Sequence, residues 1–138
     1  MRIISLLEDY PDDWENGRRM RTFTKPPFKQ FPRALFDDLE SARANWFDNA
    51  NEKQKEDSHS VREVSIGELE TYQYAVDRRR VDSFKIKDPG GDIWVDEFRG
   101  HLLISDGHHR LAARLANGVT TATVIVRSLT GWDRPGYH

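Results

Sequence analysis

The chain has 138 residues, enough for one hydrophobic core and too few for two full domains, so its length predicts one domain with an extension. It contains no cysteine, which excludes a disulfide framework, a thiolate zinc site and a cysteine nucleophile. Its 21 basic and 23 acidic residues give a net charge of −2, which argues against passive nucleic-acid binding.

Residues 1–58 are predicted to form an N-terminal arm and one amphipathic helix. Residues 1–31 are predicted to be irregular: MRIISLL can form a short strand, Asn16-Gly17 is typical of a turn, and KPPFKQFP disfavours a helix or a central strand. The start becomes acidic too early for a signal peptide, and no apolar run approaches the length of a membrane span. We therefore expect a cytoplasmic protein with no membrane partner.

From Pro32 onward, apolar residues recur at helical spacing through PRALFDDLESARANWFDNA, which predicts an amphipathic helix. We expect its aromatic end, at Trp46 and Phe47, to pack on the C-terminal part of the chain rather than to contact a partner. The next segment, NEKQKEDSHS, has no apolar residue and is predicted to be a frayed helix end followed by a linker.

Residues 59–138 are predicted to form the main domain. VREVSIGEL predicts a short strand that ends at Gly67, and a helix is predicted through ELETYQYAVDRRRVDSF before Pro89-Gly90-Gly91 breaks the chain. The helix prediction depends on four residues spaced for one face: Leu69, Tyr72, Ala75 and Val76.

A hairpin, a helix and a strand complete the predicted domain. DIWVDEF and HLLIS flank the tight turn Arg99-Gly100, and the next helix begins near His108 and stops at Asn117-Gly118. VTTATVIV is rich in β-branched residues, as a buried strand should be. The order strand, helix, hairpin, helix, strand predicts a small α+β fold.

The turn Asp106–Arg110 carries the residues best suited to chemistry. The first N–H groups of a helix have no intrahelical acceptor, and the helix dipole favours an anion beside them. Gly107 has no side chain to keep a phosphate away, Arg110 can make a bidentate contact, and His108 and His109 can donate hydrogen bonds or transfer protons. The sequence therefore predicts a phosphate site here.

Two other interpretations account for the same residues. In a purely structural turn, Asp106 caps the helix and Gly107 relieves backbone strain. In a metal site, Asp106 and one histidine supply a partial shell, which Asp92, Asp96 and Glu97 complete only if the hairpin folds towards the turn. Those acids are more typical of a solvated strand face, so we predict no metal ligands.

The segment LLISDGHHRLAARLANG, with the strand before it and VTTATVIV after it, resembles the signature of the ParB and sulfiredoxin superfamily, also called ParB-like nuclease domains. The resemblance covers residues 60–127 and implies a small mixed sheet with helices, to which the N-terminal helix is an extension. Members include nucleotide-hydrolysing DNA-partitioning proteins, ATP-dependent sulfinic acid reductases, free-serine kinases and nucleases.

The resemblance also implies a nucleotide site. Gly107, His108, His109 and Arg110 match the shared nucleotide-contacting motif, and Asp106 matches the acid that often precedes it. The implied ligand is ATP, ADP or CTP, with Mg²⁺ if it is a triphosphate. Because the chain lacks cysteine, the sulfinic acid reductase reaction is not expected.

We expect a protein that binds a nucleotide or another phosphorylated small molecule and that hydrolyses the nucleotide or transfers a phosphoryl group. Arg110 would stabilise charge during transfer, and His109 would orient the phosphate or act as an acid. A kinase reaction needs a carboxylate base, for which Glu68 or Glu70 is the candidate.

Two alternative functions remain open. The first is a metal-dependent nuclease or DNA-binding module, whose binding would weaken steeply with salt. Its phosphate contacts would come from two arginine clusters, Arg18, Arg19 and Arg21, and Arg78, Arg79 and Arg80. The second is a non-enzymatic module that contacts a protein partner through the N-terminal extension, around Trp46 and Phe47, and through the tail GWDRPGYH.

Overall fold

The computed structural model describes residues 12–15 and 18–134. The strand predicted for MRIISLL, the turn predicted at Asn16-Gly17 and the end of the tail at 135–138 lie outside the described residues. None of the helices that it describes is long and apolar enough to cross a membrane.

The described residues form four helices, ten strands and two short 3-10 turns. The helices are α1 (Phe36–Asn49), α2 (Glu52–Ser58), α3 (Arg78–Ile86) and α4 (His108–Ala116). The strands are β1 (Asp12–Glu15), β2 (Arg18–Arg21), β3 (Phe23–Thr24), β4 (Lys29–Gln30), β5 (His59–Ser65), β6 (Glu70–Thr71), β7 (Val76–Asp77), β8 (Trp94–Phe98), β9 (His101–Asp106) and β10 (Thr121–Ser128). The 3-10 turns are Arg33–Leu35 and Ile66–Glu68.

A mixed six-stranded sheet is the centre of the fold, with the strand order β4-β6-β9-β8-β10-β5. The pairs β4–β6, β6–β9 and β8–β10 are parallel, whereas β8–β9 and β5–β10 are antiparallel. Two further pairs, β1–β2 and β3–β7, form separate two-stranded sheets. The structure is thus the small α+β fold with a mixed sheet that the sequence predicts.

Apolar side chains cover both faces of this sheet. Leu103 and Ile104 are consecutive in β9 and therefore point to opposite faces. Ile104 packs in a cluster with Val95, Val124 and the α4 residue Leu111. Leu103 packs in a second cluster with Phe98, Leu129, Trp132 and the α1 residues Leu39, Ala42 and Trp46. The prediction that the stripe of α1 packs on the C-terminal part is confirmed for Leu39, Ala42 and Trp46, but it is wrong for Phe47, which is 71% exposed.

The hairpin and the two elements after it are also where the sequence places them. Arg99 and Gly100 connect β8 to β9 with φ values of 51° and 83°, the positive φ pair that a two-residue hairpin turn requires. Helix α4 starts at His108, and Gly118, with φ 84°, follows its end. Strand β10 then fills the position predicted for VTTATVIV.

The prediction of a frayed end and a linker at NEKQKEDSHS is wrong. Helix α2 is a separate helix with a complete capping box: the Asn51 side chain accepts from the Gln54 N–H at 2.8 Å, and the Gln54 side chain accepts from the Asn51 N–H at 2.9 Å. Strand β5 begins at His59, directly after this helix.

The long helix predicted through ELETYQYAVDRRRVDSF is wrong in its first half. Residues 70–71 and 76–77 are short strands that pair with β9 and β3, and the helix starts only at Arg78. Asp77 fixes this start because its carboxylate accepts from the Arg79 N–H at 3.0 Å. Pairing with distant strands therefore overrides the local helical spacing.

The expectation of an irregular arm is also wrong for its described part. β1 and β2 pair with each other, β3 pairs with β7, and β4 joins the six-stranded sheet. β4 follows two prolines and lies at the edge of the sheet, which agrees with the prediction that KPPFKQFP avoids a central strand.

Candidate functional site

The candidate site begins where β9 gives way to α4. Gly107 is the N-cap of α4 and has φ 115°, a conformation that L residues rarely adopt. A Cβ at this position would lie 2.8 Å from Cδ1 of Ile93, so the backbone packs closely against the residue before β8. The glycine is thus required by the turn itself, as the structural interpretation supposed.

The start of α4 offers backbone donors. Its first intrahelical bond runs from the Leu111 N–H to the Gly107 carbonyl at 3.0 Å, which leaves the N–H groups of residues 108–110 without acceptors in the helix. No side chain in the described part of the chain caps α4. Asp106 does not take that role: its side chain is 71% exposed, and its carboxylate accepts from Arg110 at 3.4 Å.

Arg110 lies against the start of α4 and the glycine loop before β8. Its Nη1 donates to the Gly90 carbonyl at 2.9 Å, and a Cβ at Gly91 would lie 3.1 Å from the same nitrogen. A Cβ at Gly107 would lie 3.3 Å from Nη2. The guanidinium therefore occupies space that two glycines, Gly91 and Gly107, leave open, with 13% of the side chain exposed.

A second arginine of α4 holds the same loop. Nε of Arg114 donates to the Asp88 carboxylate at 2.7 Å, and the Gly90 N–H donates to that carboxylate at 2.8 Å. These bonds, led by the one from Arg114, lower the pKa of Asp88. The loop 88–91 is thus attached to α4 at two points, Arg110 and Arg114.

His108 points into the fold. It is 5% exposed, its Nε2 forms a 2.7 Å hydrogen bond with the buried hydroxyl of Thr71, and its ring meets Phe28 edge to face. Burial, with a smaller effect of the neighbouring His109, lowers the pKa of His108 to about 4. The ring is therefore neutral at pH 7 and attaches α4 to β6.

His109 points to a different partner, as two adjacent helix residues must. Its Nε2 accepts a hydrogen bond from the Asp77 N–H at 3.0 Å, so this nitrogen carries no proton. Burial and the nearby positive charge of Arg80 lower its pKa, which Asp77 partly opposes. His109 thus links α4 to the junction of β7 and α3, with Arg80 beside it.

The other predicted candidates lie apart from this cluster. Glu68 is exposed on the 3-10 turn after β5, and within the described ranges no hydrogen bond or ion pair joins it to residues 106–110. Glu70 bonds His101 at 3.0 Å. Residues 12–15 and 18–134 contain no group of three His, Asp or Glu side chains that could hold a metal ion.

The interpretation of the strand acids as a solvated face is wrong for Asp96. Asp96 is 2% exposed and accepts from Arg127 at 2.8 Å and from Arg43 of α1 at 3.0 Å. Two guanidinium groups compensate the cost of burying its carboxylate. Glu97 is half-buried and accepts from Ser128 at 3.1 Å, while Asp92 is exposed.

The aromatic residues considered for a protein partner divide into two groups. Trp46 and Trp132 are buried in the second cluster, and Arg127 stacks on the Trp46 ring at 4.5 Å. Phe47 is exposed, with the ammonium of Lys55 over its ring. The basic cluster Arg78–Arg80 forms the first residues of α3.

An aromatic groove of about 960 Å³ lies between the segment 30–37 and the segment 72–75. Gln73 lines it, and the Gln73 N–H donates to the same Thr71 hydroxyl that bonds His108. Its apolar lining is Phe31, Pro32, Phe36, Tyr72, Tyr74 and Ala75. The sequence analysis predicted neither the contact of Thr71 nor this groove. It assigned residues 70–77 to a helix, whereas the structure has two short strands there.

Comparison of the chain with protein-family models, with curated proteins and with solved structures finds no match. The resemblance to the ParB and sulfiredoxin superfamily therefore depends on the sequence pattern of residues 60–127 and stays a prediction. What the structure defines is the class: a small α+β fold with a mixed sheet, in which Arg110 lies beside a helix start that no described side chain caps.

Proposed function

We propose that this chain binds a nucleotide or another phosphorylated small molecule at Asp106–Arg110. One observation carries the proposal: α4 begins at a glycine, with no cap among the described side chains, and the Arg110 guanidinium lies beside its first turn. Phosphate oxygens accept hydrogen bonds from such N–H groups, and the helix dipole favours their charge. Arg110 adds a second donor group at the same place.

The surrounding charge supports an anionic ligand. The positive charge of Arg80 acts on His109 and lowers its pKa, and the Arg110 guanidinium lies beside the first turn of α4. The only ion pair of Arg110 among the described residues is with Asp106, at a long 3.4 Å, and the Asp106 side chain is largely in solvent. The charge of Asp88 also acts on Arg110, but Asp88 already bonds Arg114. A phosphate group replaces the weak contact with Asp106 by a bidentate one.

The aromatic groove supports a nucleotide over a bare phosphate. Its volume of about 960 Å³ is at the upper end of ordinary small-molecule sites, and its aromatic lining suits a planar base. Two hydrogen bonds connect the groove residue Gln73 to α4, because the Gln73 N–H and the His108 ring both bond the Thr71 hydroxyl. Within the proposal, the base occupies this groove and the phosphates lie at the start of α4.

The proposal extends from binding to a reaction, either hydrolysis of the nucleotide or transfer of a phosphoryl group. Arg110 stabilises the charge that develops on the phosphoryl oxygens, and Mg²⁺ is held mainly by the phosphates. Because the Nε2 of His109 accepts from the Asp77 N–H, the ring nitrogen that can donate to a ligand is Nδ1. No hydrogen bond or ion pair of the described residues joins Glu68 to Asp106–Arg110. The general base of a transfer reaction would therefore be another residue or a bound water.

The test is a thermal-shift titration with ATP, ADP, CTP and GTP, each with and without Mg²⁺. A ligand that binds only the folded chain at one hundred times its Kd stabilises it by about 2.7 kcal/mol, which raises Tm by several degrees. Arg110→Ala is expected to weaken the affinity at least about tenfold, and Arg110→Lys less, because a charge remains.

Arg114→Ala is the matched control, because it releases the loop 88–91 without touching the first turn of α4. If both alanine variants weaken binding equally, Arg110 acts through the loop and not on the phosphate. If no nucleotide shifts Tm in the unsubstituted chain, the nucleotide part of the proposal is wrong.

A further inference from the structure

Strand β5 is the outer edge of the six-stranded sheet. It pairs with β10 on one side, and nothing in the described part of the chain pairs with its other side. The edge runs over seven residues, His59–Ser65, and its register with β10 is continuous. An edge of this length with unpaired backbone groups is a template for pairing with another strand.

The hydrogen bonds of the ladder show which backbone groups point outward. The Ile66 N–H donates to the Thr120 carbonyl at 2.8 Å, so the directly opposite residues 66 and 120 form a hydrogen-bonded pair. Such pairs alternate along an antiparallel ladder. Val64 and Arg62 therefore bond β10, and the N–H and C=O groups of Val61 and Glu63 point away from the sheet.

An apolar row reaches this edge on the face that α1 only partly covers. Val61 lies opposite Ile125, and Ile125 lies opposite Trp94, so the three side chains share one face. Val61 is 71% exposed and Trp94 is 37% exposed. Asp96, two residues after Trp94, accepts a hydrogen bond from Arg43 of α1. Helix α1 therefore covers this face from Asp96 onward.

We propose that β5 pairs antiparallel with β5 of a second copy of this chain, with the two-fold axis at Val61. The two sheets then form one continuous sheet across the axis. Val61 of each copy exchanges both backbone hydrogen bonds with Val61 of the other. The apolar rows meet there, so that Trp94, Ile125 and Val61 of one copy continue into those of its partner.

The charges of β5 disfavour the registers centred on Arg62 and on Glu63. A register centred on Arg62 puts two guanidinium groups directly opposite each other, and one centred on Glu63 puts two carboxylates opposite each other. The register centred on Val61 instead places His59 opposite Glu63, twice by symmetry. This self-complementarity points to a second copy of the same chain and not to an unrelated strand.

The first experiment measures molar mass in solution over a range of concentrations, by light scattering after size exclusion. We expect the mass of a dimer, and for Val61→Lys the mass of a monomer, with dimer affinity at least about tenfold weaker. Val61→Thr is the matched control, because it keeps a β-branched side chain without a charge and is expected to dimerise. Circular dichroism and Tm check that each variant is folded.

The second experiment locates the interface by residue-resolved amide exchange at low and high concentration. In the dimer the N–H groups of Val61 and Glu63 become slow, whereas those of Arg62 and Val64 are already bonded within the monomer. A dimer dissociation constant above about 1 mM would overturn the proposal. So would a dimer that survives Val61→Lys, or one in which Val61 and Glu63 exchange at the same rate at both concentrations.

Discussion

Gly107 shows how a single residue can serve both the backbone and a ligand site. Its φ of 115° and the 2.8 Å approach of Ile93 to a Cβ built at this position both require glycine. The same absence of a side chain leaves the first turn of α4 open. A substitution here therefore tests the fold before it tests any ligand.

Gly107→Ala is expected to lower the free energy of unfolding by about 2 kcal/mol. Backbone strain at a positive φ costs roughly 1–3 kcal/mol, and the contact with Ile93 adds to it. Urea unfolding measures the loss. Gly67→Ala is the control, because Gly67 has no positive φ and no described atom within 4 Å of a Cβ. Equal losses for the two variants would contradict this account of the turn.

The sequence located this group of residues but not what each does. The start of α4 follows from local signals, a strand, a glycine and a helical spacing, all within 101–118. The partners of the histidines do not: Thr71 is 37 residues from His108, and Asp77 is 32 residues from His109. Only the folded chain brings them together, so the expected catalytic role of His109 stays a prediction.

Between elements, these two histidines attach the start of α4 to its neighbours. His108 bonds Thr71 of β6, and His109 accepts from Asp77 at the start of α3. The bond to Asp77 requires an unprotonated Nε2. Acid should therefore weaken the attachment of α4 to the segment 70–78.

The free energy of unfolding is expected to fall as the pH falls from 6.5 towards 4. Because the pKa of His108 is lowered from 6.5 to about 4, the unfolded chain binds its proton at a higher pH than the folded chain does. The loss is roughly 3 kcal/mol, since one pKa unit corresponds to about 1.4 kcal/mol. Above pH 6.5 this histidine contributes no pH dependence.

Urea unfolding at several pH values measures this effect, with His108→Gln as the comparison. The amide can replace the Nε2 bond to Thr71 and does not titrate, while the carboxylates titrate alike in both chains. The variant should lose less stability on acidification than the unsubstituted chain. Parallel pH profiles would show that His108 is not the group responsible.

The sequence predicted the elements whose own residues carry a local signal, either a regular spacing of apolar side chains or the residues that a tight turn requires. α1, the β8–β9 hairpin, α4 and β10 carry such signals. β6 and β7 have two residues each and exist only through pairing with β9 and β3. The capping box of Asn51 and Gln54, by contrast, was legible in the sequence and would have predicted α2.

Over the whole molecule, Asp96 connects the N-terminal helix to the sheet. Its carboxylate lies on β8, Arg127 on β10 and Arg43 on α1, so one buried group joins three elements. Strands β8 and β9 also contribute to both apolar clusters, through Val95 and Phe98 and through Leu103 and Ile104. We therefore expect the two faces of the sheet to unfold together.

Asp96→Asn is expected to lower the free energy of unfolding by about 3 kcal/mol. The amide keeps the shape of the side chain but removes the charge, which leaves two partly buried guanidinium groups without their counter-ion. Urea unfolding, followed both by tryptophan fluorescence and by circular dichroism, measures the loss and tests whether one transition remains. Asp57→Asn is the control: its ion pair with Lys53 is largely exposed, so its loss should stay within about 0.5 kcal/mol. If Asp96→Asn costs no more than Asp57→Asn, the apolar contacts of Leu39, Ala42 and Trp46 alone attach α1 to the sheet.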